Sequence, residues 1–253
     1  MRLPLLVCIM LALAPQLAKA ADFCPNVKPG KLSLPGSIKA VDSNREFVVV
    51  AMGSSSTEGW MASSLSRSYP AMLQTDLSAA LPNVHVAILN RGIGGQDAAE
   101  ELPRIEPDVV AVKPTLVIWQ VGANGALRNS DPKIFKRLVT LGIERLKAAK
   151  VDIIIMDNQQ SPMILAAPEH ALINQSLAEI AKSEGVNLFS RNDLMEHWKE
   201  AGFPPEHFIS SDGLHHNDLG YACLASALSE TIVDTIDAQP VRSNFANSAK
   251  PRN

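Results

Sequence analysis

Five short runs of consecutive apolar and β-branched residues recur along the chain: 46–52 (EFVVVAM), 84–90 (VHVAILN), 115–121 (TLVIWQV), 151–157 (VDIIIMD) and a briefer one at 186–190 (VNLFS). They do not alternate with polar positions, which is the pattern of strands covered on both faces in a parallel sheet. Segments with helical period separate them. The spacing predicts helices over 69–81, with Pro70 allowed in the first turn, over 131–150, with apolar Ile134, Leu138, Leu141 and Leu146, and over 169–184. A last helix is expected over 217–236. Strand and helix thus alternate, which specifies an α/β fold with right-handed crossovers, a parallel sheet and helices on both faces.

The chain ends follow other rules. Arg2 precedes an apolar run at 3–14 and the small-x-small sequence Ala18-Lys19-Ala20. That is the layout of a signal peptide over 1–20, cut after Ala20, and the run is too short to cross a bilayer. The protein is therefore expected to be exported, periplasmic or secreted, with no stable membrane anchor after cleavage. Residues 21–45 carry Pro25, Pro29, Gly30, Pro35 and Gly36 without an apolar period, and read as an extended lead-in. The folded domain is expected over 46–238. Residues 239–253 are polar and read as a C-terminal tail.

Composition sharpens this picture in two places. With 253 residues, 46% apolar and 19% charged, the chain suits one hydrophobic core. A net charge of −3, from 23 basic and 26 acidic residues, supplies no footprint for nucleic acid or an acidic membrane surface. Signal cleavage leaves two cysteines, Cys24 and Cys223, in a compartment where disulfides persist. They are expected to pair and tie the lead-in to the last helix, the alternative being two separate buried thiols.

In open parallel sheets ligands bind beyond the carboxyl ends of the strands, so the chemistry is sought there. The segment after the first strand is GSSSTEG (53–59), after the second NRGIGGQ (90–96), and after the third GANG (122–125). Just before the last helix lies DGLHHN (212–217). Together they offer a hydroxyl to attack, an imidazole to take its proton, a carboxylate to fix the imidazole tautomer, and donors for an oxyanion. Asp212 and His215, at i and i+3 on a turn, can join carboxylate to Nδ1 and leave Nε2 for a serine. Ser55, at a strand-to-helix turn, is the natural target. His85, His170, His197 and His207 have no such company. The Gly92-Ile93-Gly94 sequence lacks the third glycine of a dinucleotide fingerprint. Asp212, His215, His216 and Asp218 match no standard zinc spacing, so neither cofactor nor metal is expected.

These four segments resemble the blocks of the SGNH (GDSL-type) hydrolases, over about residues 47–221. Gly53, Ser55, Thr57 and Gly59 fall on the first block, Asn90, Gly92 and Gly95 on the second, Gly122 and Asn124 on the third, and Asp212 and His215 on the last. The resemblance implies a flavodoxin-like three-layer sandwich around a central parallel five-stranded sheet. It also implies catalytic Ser55, Asp212 and His215, with an oxyanion hole made of the Ser55 and Gly95 N–H groups and the Asn124 amide. Ser54 and Gly125 stand where the family has aspartates that brace loops around the site.

The function implied is an esterase or thioesterase acting through an acyl-enzyme. Deacetylation of O-acetylated glycans is the alternative within enzymes, and a catalytically silent binding protein the alternative from another class. With only 5% aromatic residues, and Trp60 alone near Ser55 in sequence, a small or medium acyl ester is expected over a long polymer. Met163, Ile164 and Leu165, a triplet too short to form its own helix, either wall an acyl pocket or pack beneath their loop.

Overall fold

The computed structural model describes residues 24–27, 30–43 and 46–238. The expected signal peptide at 1–20 and the tail at 239–253 lie outside the described residues. Five parallel strands form the central sheet: β1 (Phe47–Gly53), β2 (Val86–Gly92), β3 (Leu116–Gln120), β4 (Asp152–Met156) and β5 (Asn187–Phe189). Each expected run contains or overlaps its strand, displaced by one or two residues. The spatial order is β2-β1-β3-β4-β5. The chain moves outward on one side of β1 and returns to the other, so the crevice of a doubly wound sheet opens at the carboxyl end of β1.

The helices in chain order are α1 (Pro35–Asp42), α2 (Ser55–Glu58), α3 (Tyr69–Ala80), α4 (Ala98–Glu101), α5 (Ala123–Leu127), α6 (Pro132–Ala148), α7 (Pro162–Ala166), α8 (His170–Glu184), α9 (Arg191–Glu200) and α10 (Asp218–Asp237). Between α4 and β3 the chain winds on through short 3₁₀ and π turns at 102–112. Alternate strand residues feed two cores. Val49, Ala51, Ile118 and Ile154 pack with α3, α9 and α10, whereas Val50, Met52, Trp119 and Ile155 pack with α6, α8 and the 102–112 turns.

Three local readings need correction. The lead-in is not extended throughout, because Pro35–Asp42 is helical and buries Val41. Its cap comes from far away: Asp152 accepts hydrogen bonds from Gly36 N (3.2 Å), Ser37 N (2.7 Å) and Ser37 Oγ (2.8 Å). In α6 the buried stripe is Phe135, Val139, Ile143 and Leu146, while Ile134 is 60% exposed. The helix carries two interleaved apolar stripes, and the one containing Gly142 is chosen because Trp119 lies against that glycine. The Met163-Ile164-Leu165 triplet does form a helical turn, α7, with Pro162 in its first turn and Ser161 as its cap. Met163 N also donates to Gly213 O at 3.1 Å, so tertiary contact replaces the length an isolated helix would need. Ile164 is buried within it, and Met163 and Leu165 stay exposed.

Cys24 and Cys223 are joined as a disulfide, with their Cα atoms 5.2 Å apart. The bridge ties the start of the described chain to α10.

Candidate active site

Ser55 is the first residue of α2, two positions beyond the last residue of β1. Ser54 is extended and turns the chain, its carbonyl accepting from Thr57 N (3.0 Å) and Glu58 N (2.9 Å). Ser54 and Ser56 are buried, and Ser55 reaches the surface between them. The turn is braced from β3: Gln120 Oε1 accepts from Ser54 N (3.1 Å), Ser54 Oγ (3.1 Å) and Thr57 Oγ1 (3.2 Å). Ser54, at the position where the SGNH pattern has an aspartate, therefore supplies two of the three donors of this brace.

The loop before α10 comes back across this turn. His215 Nε2 lies 2.7 Å from Ser55 Oγ, and His215 Nδ1 lies 2.6 Å from Asp212 Oδ2. An ionised carboxylate only accepts, so Nδ1 carries the proton and Nε2 is left to accept from the Ser55 hydroxyl. Asp212 is held in turn by Ser210 Oγ (2.6 Å), Leu214 N (2.9 Å) and His215 N (3.0 Å) on Oδ1. Partial burial works against its charge, yet the hydrogen bonds from Ser210, His215 and the two backbone N–H groups outweigh it. The carboxyl is thus held well below the usual carboxylate range. His216, by contrast, is fully buried and pushed down to about 3, mainly by desolvation. Its Nδ1 faces Phe208 O, away from this row.

The other two segments lie beside Ser55. β2 ends level with β1, Gly92 opposite Gly53. A side chain on Gly92 would collide with the backbone at Glu58 N, so only glycine lets the β2 loop approach α2 this closely. Gly95 takes a positive φ of 80°. Asn124, in the first turn of α5, donates from Nδ2 to Gln96 O at 2.8 Å, which fixes its amide beside that loop. The N–H groups of Ser55 and Gly95 have no protein acceptor among the described residues. Asp218, once a conceivable metal ligand, accepts from Ser63 N and Oγ instead.

Several residues that hold the site carry no motif. Arg128 donates to Gly95 O (2.7 Å), Asp97 Oδ2 and Glu100 Oε2 (2.9 Å each). Glu58 Oε2 accepts from Gly94 N (2.7 Å) and from Trp60 Nε1 (2.8 Å). The Trp60 indole is thereby pinned with its ring 6.1 Å from that of His215, while 54% of the residue remains exposed. Apart from the Glu58–Trp60 bond, between residues two apart, each of these contacts joins segments whose spacing in the chain follows no rule, so no local signal could have revealed them.

A five-stranded parallel sheet that lines up hydroxyl, imidazole and carboxylate at its carboxyl edge is the architecture of the SGNH-like hydrolases, enzymes that split ester bonds. Within that class the chain belongs to the Non-GDSL lipase-like family, whose model matches residues 20–238. Ser54 in place of aspartate agrees with that description. Among solved structures the chain is similar to a two-domain esterase active on acetylated mannans, with a TM-score of 0.70 and 20% identity over 83% of this chain. It spans 55% of that longer protein. It is also similar to the lipase/acylhydrolase from Enterococcus faecalis, with a TM-score of 0.63 and 21% identity over 74% of this chain and 95% of that one. A third is an acetylxylan esterase from Geobacillus stearothermophilus, with a TM-score of 0.62 and 21% identity over 73% and 93%. At such identities the likeness is one of fold. No curated protein matches the chain in sequence.

Proposed function

We infer that the protein is an exported serine hydrolase that cleaves an acyl ester or thioester through an acyl-enzyme on Ser55. The observation that carries this reading is the unbroken row from Ser55 Oγ to His215 to Asp212, at 2.7 and 2.6 Å. His215 Nε2 takes the serine proton as Oγ attacks the acyl carbon, and the carbonyl electron pair moves onto oxygen. The N–H groups of Ser55 and Gly95 and the Asn124 amide receive that charge. Collapse breaks the bond to the leaving oxygen or sulfur, which takes the proton from Nε2. Water then attacks the acyl-enzyme, with His215 again as base, and the bond to Ser55 Oγ breaks as Oγ takes the proton back from Nε2 and the acid is released. Asp212, ionised throughout, holds the tautomer and stabilises the imidazolium. Every role is filled by the chain's own groups.

Export is supported by the signal-like residues 1–20 and by the Cys24–Cys223 disulfide, which favours an oxidising compartment. Mass spectrometry of protein recovered outside the cytoplasm is expected to find Ala21 as its first residue. An intact Met1 there would reject the signal. Labelling with a fluorophosphonate, beside a panel of acyl esters, thioesters and acetylated glycans, tests the chemistry. Wild type should be labelled and active, and Ser55→Ala neither. A purified wild type that takes no label and turns over nothing would favour a silent binding protein.

Trp60 favours a second reading, deacetylation of O-acetylated glycans. Its indole is fixed by Glu58 and exposed beside His215, the group that protonates the departing alcohol, so a sugar ring there can stack on it. Neighbours of the same fold act on acetylated mannan and xylan. On this reading Trp60→Ala raises KM for acetylated oligosaccharides and leaves triacetin hydrolysis unchanged. A preference for p-nitrophenyl esters longer than acetyl, unaffected by Trp60→Ala, would return the choice to an acyl esterase.

A further inference from the structure

Behind the imidazole lies a buried charge that the reaction does not use. Arg191, the first residue of α9, is wholly buried. Taking a guanidinium out of water is costly, so the arrangement that repays it is informative. Its Nε donates to Asp157 O (3.1 Å) and one terminal nitrogen to Gln159 Oε1 (2.6 Å). Burial pulls the guanidinium down and the neighbouring Asp157 supports its charge, and Asp157 is itself fixed by Ser190 Oγ (2.8 Å) and Asn192 N (3.0 Å).

An arginine has donors and no acceptor, so it dictates which end of the Gln159 amide faces it. The carbonyl oxygen must point at Arg191, and Nε2 must point the other way. There it donates to Leu214 O at 2.8 Å. That carbonyl belongs to the peptide plane joining Leu214 to His215, and the N–H of the same plane donates to Asp212 Oδ1 at 3.0 Å. The plane from which the imidazole hangs is thus gripped at both edges, by Gln159 at its oxygen and by Asp212 at its nitrogen. Gln159 is itself only 1% exposed, so it exchanges no partner with solvent.

We propose that Gln159, oriented by the buried Arg191, is a positioning residue that sets the height and tilt of His215 over Ser55. Its effect on rate rests on the serine hydrolase reading, whereas its effect on the imidazole does not. Gln159→Glu is the principal test, because it keeps the side-chain size and the acceptor for Arg191 but turns a second acceptor toward Leu214 O. Gln159→Leu, which removes both contacts, accompanies it. Two readouts are needed on the folded, disulfide-bonded protein: kcat and KM for an acetyl ester, and the low-field proton resonance of His215 Nδ1–H bonded to Asp212. Displacement of a reacting group is expected to lower kcat by roughly ten- to a hundredfold in both variants, with KM within about twofold. The resonance should shift or broaden while the rest of the spectrum stays dispersed. If Gln159→Leu does not fold, Gln159→Glu alone decides. A Gln159→Glu protein with wild-type resonance and wild-type kcat would overturn the proposal. If wild type hydrolyses no ester, the hydrolase reading fails separately, and the resonance still decides the positioning role.

Discussion

The two halves of the site are held by different means. On the serine side, Ser55, the β2 loop and Asn124 follow the ends of β1, β2 and β3 within four residues, where strand pairing sets their heights. On the imidazole side, Asp212 and His215 lie on a loop that belongs to no strand and is held by Gln159, three residues past β4, which Arg191 of α9 orients in turn. A residue at a strand end inherits its place from the sheet ladder. A residue on a free loop must be given its place one hydrogen bond at a time, and here that work falls on buried polar groups.

Four experiments would break or sharpen this contrast. The largest effect is expected on the serine side. Asn124→Ala removes one preorganised donor and no core volume, and should lower kcat by about a hundred- to a thousandfold, with only a small fall in Tm from the lost bond to Gln96 O. An unchanged kcat would remove Asn124 from the oxyanion set. Next, the disulfide tethers α10 directly after the imidazole loop. If side chains rather than this tether hold His215, the double replacement Cys24→Ala/Cys223→Ala will cost roughly 2–5 kcal/mol of stability and leave kcat alone. A matching fall in kcat in the folded variant would shift the credit to the tether.

Gln120→Leu leaves the three donors of Ser54 and Thr57 without their shared acceptor. Denaturant unfolding should register a loss of about 1–3 kcal/mol, with a smaller fall in kcat than Asn124→Ala gives. A larger fall in kcat would mean that the ladder alone does not set the nucleophile turn. The smallest effect on kcat is expected under β3, where the change is one of stability. Burial pushes Glu101 up to about 8, against the hydrogen bond from Trp119 Nε1 at 2.8 Å. A raised carboxyl contributes stability that is complete below its unfolded value, near 4.5, and lost as pH rises through about 8. Glu101→Gln cannot ionise, so its Tm should exceed wild type at pH 9 and converge with it at pH 5. Equal Tm differences at both values would reject the buried-acid assignment.

Much of the placement on the serine side was legible because its residues follow strands in short, glycine-rich runs. Ser55, Gly95 and Asn124 each sit within five residues of the strand that precedes them, so strand pattern and motif pointed to the same places. Asp212 and His215 were legible for another reason, their i, i+3 spacing. Gln120, Gln159, Arg191, Glu58 and Arg128 were not, because nothing in a lone Gln, Glu or Arg says that a group 32 to 66 positions away will need its donor or its acceptor.

The amino-acid sequence by itself determined the five strands, their parallel arrangement and the chemical inventory of the site, since apolar runs, helical periods and short motifs act over a few neighbouring residues. Tertiary structure alone decided which apolar stripe of α6 turns inward, that Asp152 caps a helix begun more than a hundred residues earlier, and that α7 exists at all. It also decided how His215 is held over Ser55. Each of these outcomes is a choice among locally equivalent states, and only the packing of distant segments separates their energies.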